Sequence, residues 1–179
     1  KNINYDLKIV CFNSTEGLGN GFLLPAGPLR ESINELKYCD IAILNGEKIN
    51  NRLKKKIKEI NKNIKIFEGT YEPENLKNLN INRNYLMFCG LGNPEEFKKT
   101  LIKYKFKIKK EFIFPDHYQF STNEIRHLKN IAKKENLSVI TSEKDYLRLN
   151  KKQRLKINYL KVRLKIKKLN DFKKILKTI

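Results

Sequence analysis

The stretch Tyr85-Leu86-Met87-Phe88-Cys89-Gly90-Leu91-Gly92-Asn93-Pro94-Glu95-Glu96-Phe97 decides the fold class. Residues 85–88 form a short apolar, β-rich run, the glycines after it turn the chain, and Phe97 with Leu101 marks one face of a helix. Asn93 is placed to cap that helix, Pro94 to open its first turn, and Glu95 and Glu96 to meet its positive end. A strand that runs through a turn into a helix predicts a crossover connection.

Working outward, the same alternation recurs. Strands are expected at residues 7–12, 41–44, 64–67, 111–114 and 137–140, with a β-like stretch at 158–166. Helical stripes stand between them. Leu29, Ile33 and Leu36 follow Pro28, and Leu53, Ile57 and Ile60 line one face of a lysine-rich segment. Ile125, Leu128, Ile131 and Ala132 follow Ser121 and Glu124 at capping-box spacing, and Phe172, Ile175 and Leu176 follow Asn170 as cap. Residues 71–84 read as a long surface loop. The prediction is an α/β fold with a mainly parallel sheet and helices on both faces. A chain of 179 residues that is 40% hydrophobic is expected to bury one ordinary core in one globular unit.

Lysine and arginine number 39 against 19 acids, a formal charge of +20. Such a field attracts phosphate, nucleic acid or an anionic membrane, although lysine is spread through helices and turns alike. Lysine clusters such as Lys107, Lys109 and Lys110 keep a basic nucleic-acid-binding module in view, but no recognition motif and no grouped aromatic platform accompany them. Cys11, Cys39 and Cys89 fit neither a disulfide framework nor paired zinc ligands, which favours a reducing cytoplasm. No apolar run reaches the length of a membrane span. Residue 1 is lysine and Met87 is the sole methionine, so the native chain is expected to begin further upstream.

In an open parallel sheet the chemistry gathers where strands run out into loops. Four such loops stand out, at residues 17–30, 90–94, 115–118 and 141–145. Gly17-Leu18-Gly19-Asn20-Gly21 has the composition of a phosphate cradle but no helix start behind it, and Gly90-Leu91-Gly92 carries Glu95 where a dinucleotide loop wants glycine. No Gly-x-x-x-x-Gly-Lys-Ser/Thr occurs in these residues, so no loop here can cradle nucleotide β- and γ-phosphates. Asp116 and His117, a carboxylate beside an imidazole at a strand end, could orient each other or assist a base; a structural polar pair is the alternative. Arg30 and Glu31 are read at the opening of a helix, where the helix dipole already suits Glu31. His127 falls on the solvated face of its helix, and Thr141-Ser142-Glu143-Lys144-Asp145 reads as a cap with surface charges.

Together these loops resemble one family. Gly19-Asn20-Gly21 and Leu23-Leu24-Pro25-Ala26-Gly27-Pro28-Leu29-Arg30-Glu31 are similar to the Gly-Asn-Gly and Leu-Leu-Pro-Ala-Gly-Pro-Leu-Arg-Glu segments of tetraacyldisaccharide 4'-kinases. Gly90-Leu91-Gly92-Asn93-Pro94, Phe114-Pro115-Asp116-His117-Tyr118-Gln119-Phe120 and Thr141-Ser142-Glu143-Lys144-Asp145 resemble three further segments of that family, in the same order. The resemblance covers residues 1–150 and is looser over 151–179. It implies that 1–179 is one C-terminal portion of a P-loop NTPase-like kinase that moves a phosphate from ATP, with Mg²⁺, to the 4'-hydroxyl of tetraacyldisaccharide 1-phosphate, a lipid A precursor. It implies a setting in the cytoplasm, peripheral on the inner membrane's anionic face. The family's P-loop and metal-binding segments would lie in a preceding half, so this portion is expected to be inactive alone, or to be an inactive split-gene relic. His117 and Asp116 are then implied as catalytic, supporting an aspartate from the other half, and Arg30 and Glu31 as substrate-binding.

Overall fold

The computed structural model describes residues 5–48 and 50–177. Lys1, on which the expected upstream start rests, lies outside them. The chain forms two compact units: residues 1–72 with 163–179, and residues 73–162. Where composition predicted one core, each unit has its own sheet and its own pair of hydrophobic clusters.

In the first unit, β1 (Ile9–Asn13), β2 (Ile41–Asn45) and β3 (Lys65–Pro73) run parallel, with β8 (Val162–Ile166) next to β3. Alternate residues of β2 serve opposite faces. Ala42 and Leu44 pack with Leu36 and with Leu53 and Ile57 of α1 (Asn51–Ile60). Ile41 and Ile43 pack with Phe67 and with Leu164, Ile166, Phe172 and Ile175. The last two belong to α6 (Leu169–Leu176), so the loosely matched tail supplies one face of this core.

The second unit is a four-stranded parallel sheet in the order β5 (Lys107–Ile113), β4 (Asn84–Cys89), β6 (Ser138–Ser142), β7 (Ile157–Leu160). Helices α2 (Pro94–Lys103), α3 (Thr122–Lys134), α4 (Glu143–Arg148) and α5 (Lys151–Arg154) carry the crossovers. Strand β4 is buried on both faces. Leu86 and Phe88 meet Ile125, Leu128 and Ala132 of α3, while Tyr85, Met87 and Cys89 meet Leu101 of α2. Asn93 caps α2 with Pro94 first, and Ser121 and Glu124 form the full capping box of α3, as their spacing predicts.

Three local expectations are corrected. No helix starts at Pro28: Leu29 N–H bonds back to Phe22 C=O (3.2 Å) and Leu24 N–H to Leu29 C=O (2.8 Å), which curls the segment. Only a 3-10 turn, Ile33–Tyr38, follows, capped by Ser32. Asn170 does not cap the last helix; Lys168 does, in a left-handed conformation, without a side-chain bond. The presumed loop at 71–84 carries the end of β3 and a 3-10 turn, Leu76–Asn78, because Leu76 and Leu79 have apolar partners around Tyr85 and Met87.

Candidate active site

The strand order of the second unit reverses at β4. The chain leaves β4 for β5 on one side and returns to β6 on the other, so the loops after β4 and β6 part at a topological switch point, where open α/β sheets leave a crevice. Three of the four loops singled out in the sequence, those at 90–94, 115–118 and 141–145, meet at this end of the sheet.

Asp145 holds them together. Its carboxylate is fully buried on the first turn of α4. Oδ2 accepts from the Gly90 N–H (3.1 Å) and the Ser142 hydroxyl (2.8 Å), and Oδ1 faces Arg148 Nη1 at 3.2 Å. A buried carboxylate needs that many partners to offset its lost hydration. Gly90 also accepts from the His117 N–H (3.3 Å), and a side chain on Gly90 would sit 3.0 Å from the Pro115 carbonyl. The sequence reading of Gly90 as a simple tight turn therefore understates it: this glycine lets two loops close on each other.

His117 adopts φ 62°, a left-handed conformation uncommon outside glycine. Its loop is pinned beneath by Phe114, Tyr118 and Phe120, whose rings lie 4.9–5.4 Å apart, with Phe120 edge-on to Phe88 at 5.1 Å. The Tyr118 hydroxyl donates to Glu124 at 2.6 Å, which ties the loop to the capping box of α3. That bond, followed by those from Ser121, lowers the Glu124 pKa.

The Asp116–His117 pair thus stands on a braced loop with its side chains open to solvent, 71% exposed for the imidazole. Asp116 Oδ2 lies 3.8 Å from His117 Nε2, and Lys144 Nζ lies 3.5 Å from both Asp116 Oδ1 and His117 Nε2. Desolvation raises the Asp116 pKa, but the charges of Lys144 and His117 and the hydrogen bonds they supply outweigh it, and the carboxyl is held below its ordinary value. The arrangement presents an ionised carboxylate, an imidazole and two cations at one strand end. Lys144 had passed as a surface charge and Arg148 had no sequence motif; the available sign was that Arg148 follows Asp145 by three residues on one helix face.

Arg30 and Glu31 belong to the first unit. Both are exposed and line a cleft of about 820 Å³ along β1 and the turn at residues 33–38. They precede Ser32, the cap of that turn, and open no α-helix. The loop before them is built on Asn20, whose side chain donates to the Ala26 carbonyl (2.8 Å) and accepts from the Phe22 N–H (3.1 Å). Gly27 must be glycine there, since a Cβ would lie 2.2 Å from Asn20 Oδ1.

The family described as LpxK, Tetraacyldisaccharide-1-P 4'-kinase, matches residues 1–179. The chain belongs to the tetraacyldisaccharide-1-P 4'-kinase family. A relative named tetraacyldisaccharide 4'-kinase, from Pelagibacter ubique (strain HTCC1062), is 45% identical over 165 residues, covering 92% of this chain and 52% of the relative. One of the same name from Rickettsia akari (strain Hartford) is 37% identical over 149 residues, 81% of this chain and 43% of its own length. The chain therefore spans about half the length of the curated family members it matches. Among solved structures, LpxK from Aquifex aeolicus, described as an "apo" form in complex with ATP, superposes with a TM-score of 0.62 at 22% identity, over 98% of this chain and 53% of that one. At that identity the likeness speaks for the fold, an α/β arrangement with mainly parallel sheets.

Proposed function

We propose that this chain is one half of an ATP-dependent lipid kinase that phosphorylates the 4'-hydroxyl of tetraacyldisaccharide 1-phosphate in lipid A biosynthesis. The observation that carries this reading is a family match running the whole length of the chain, and so including every loop of the candidate site.

Phosphoryl transfer to an alcohol needs a group to take the hydroxyl proton and fixed charge where negative charge gathers. The Asp116–His117 pair at the switch point suits the first need, as support for a carboxylate base supplied by the rest of the protein. Lys144 beside it suits the second. Arg30 and Glu31, on the loop built around Asn20, are proposed to contact the substrate. No Gly-x-x-x-x-Gly-Lys-Ser/Thr to cradle the phosphates of ATP occurs in these residues, and a Mg²⁺ held largely by those phosphates would sit with them. Both are assigned to the remainder of the protein, a P-loop half that is this chain's necessary partner, and the chain alone is expected to be inactive.

Among the described residues no helix is long and apolar enough to cross a membrane. A chain carrying +20 would be drawn to an anionic bilayer, each cation near the surface contributing on the order of 1 kcal/mol, so a peripheral position on the cytoplasmic face of the inner membrane is part of the proposal.

The test replaces the matched segment of the Pelagibacter ubique relative with this chain and measures phosphate transfer to the lipid disaccharide. The fusion should be active and its His117→Ala variant slower by about 100-fold. A near-normal rate in that variant removes His117 from the chemistry, and an inactive, folded fusion removes the kinase reading.

A further inference from the structure

Arg148 reaches two groups with two nitrogens. Nη1 faces the buried Asp145 Oδ1 at 3.2 Å and Nη2 lies 2.9 Å from His117 Nδ1. The two contacts have different standing. Asp145 is fixed by the ends of β4 and β6 through Gly90 and Ser142, and the Arg148 side chain is itself only 18% exposed, so this end of the guanidinium is anchored. The His117 ring is largely in solvent and has no comparable support of its own.

A guanidinium can only donate. His117 Nδ1, 2.9 Å from Nη2, must therefore offer the ring's single lone pair, since the other donor-only cation, Lys144 Nζ, stands off at 3.5 Å from Nε2; the ring proton is left on Nε2, on the side of Asp116 Oδ2. We infer that Arg148 is a positioning residue for His117: a guanidinium anchored on Asp145 holds the imidazole in one orientation and one tautomer, with Nε2–H turned toward the Asp116 side. In that state Nε2–H is free to donate to a carboxylate brought closer than Asp116 Oδ2, which stands 3.8 Å off, and Nδ1 is closed to substrate. Lysine cannot substitute, because a single ammonium lacks the planar fork that serves two partners in fixed directions.

This rests on the proposed role of His117 in the kinase, and its test separates the two. The chain has two histidines, and the exposed His127 on α3 is an internal reference. In the ¹⁵N-labelled 179-residue chain, at a pH where both rings are neutral, two-bond ring correlations report which nitrogen carries the proton. His117 should show a wholly unprotonated Nδ1, and His127 an averaged mixture. Arg148→Lys keeps a cation beside Asp145, so the backbone spectrum should persist while His117 relaxes to the His127 pattern. Arg148→Met should do the same wherever it folds. A proton on Nδ1 in the wild type, or an unchanged His117 pattern in folded Arg148→Lys, overturns the inference. In the active fusion, Arg148→Lys should lower kcat by about tenfold or more with KM within about twofold. Full kcat in that variant, with His117→Ala inactive, also overturns it. If the tautomer behaves as described but His117→Ala is fully active, the placement of the ring stands and its catalytic role falls.

Discussion

The Gly90 N–H donates to the Asp145 carboxylate over 3.1 Å, although 55 residues separate them in the chain. The bond joins the ends of two adjacent strands where the strand order reverses, so the candidate site depends on a residue that would never touch substrate. Asp145→Ala leaves the Gly90 N–H and the Arg148 guanidinium without their shared acceptor. Losses of this kind cost about 3 kcal/mol. Urea unfolding of the chain should show a fall of that size, and a change below about 1 kcal/mol would mean that water replaces the carboxylate.

His117 sits at φ 62°, where a Cβ is strained and glycine is not. His117→Gly should therefore be more stable than His117→Ala by about 1 kcal/mol, although both lack the imidazole. Paired melting curves of the two variants test this. Equal stabilities would show that the loop relaxes once the ring is gone.

Glu68 on β3 receives Lys54 of α1 and Lys167, the latter at 2.9 Å, and its pKa is lowered first by the hydrogen bond from Lys54 and then by that from Lys167. The folded value lies below the ordinary 4.5, so the stabilisation is present above that pH and is lost as pH falls through the folded value. Solvent contact limits it to about 1 kcal/mol. Denaturation at pH 6 and pH 3 should show Glu68→Gln losing less stability on acidification than the wild type. An identical loss in both would sink the assignment.

Cys89 is buried at the end of β4, and burial first, then the negative charge of Asp145, pushes its thiol up to about 11. An aromatic disulfide reagent at pH 8 should label the exposed Cys11 readily in the native chain and reach Cys89 only on unfolding. Mass spectrometry of the labelled peptides reads the order directly, and early modification of Cys89 would show that the β4 end opens under native conditions.

Local chemistry made much of this legible. Asn93 and Pro94, or Ser121 and Glu124, act within one turn of chain, and their spacing gave the helix starts. The apolar run at residues 85–88 gave the central strand because both faces of β4 are buried. Pairing between distant strands has no such signature, and the division into two sheets was invisible for that reason. Pro28 misled because its neighbours spend their hydrogen bonds on Phe22 and Leu24 and leave none for a helix. At the candidate site, Asp116 and His117 were found as a chemical pair in sequence, whereas Arg148 acquires its meaning from His117, which lies 31 residues away.

The first core borrows Leu164, Ile166, Phe172 and Ile175 from the end of the chain, while the second unit is closed within residues 73–162. On a ribosome, β1, β2 and β3 emerge ahead of the second unit yet cannot complete their core until that whole unit has been made. At about 5–20 residues per second that interval is on the order of 10 s. During synthesis the later unit can finish folding before the earlier one, and the apolar face of Ile41, Ile43 and Phe67 remains a surface for chaperones until β8 and α6 arrive.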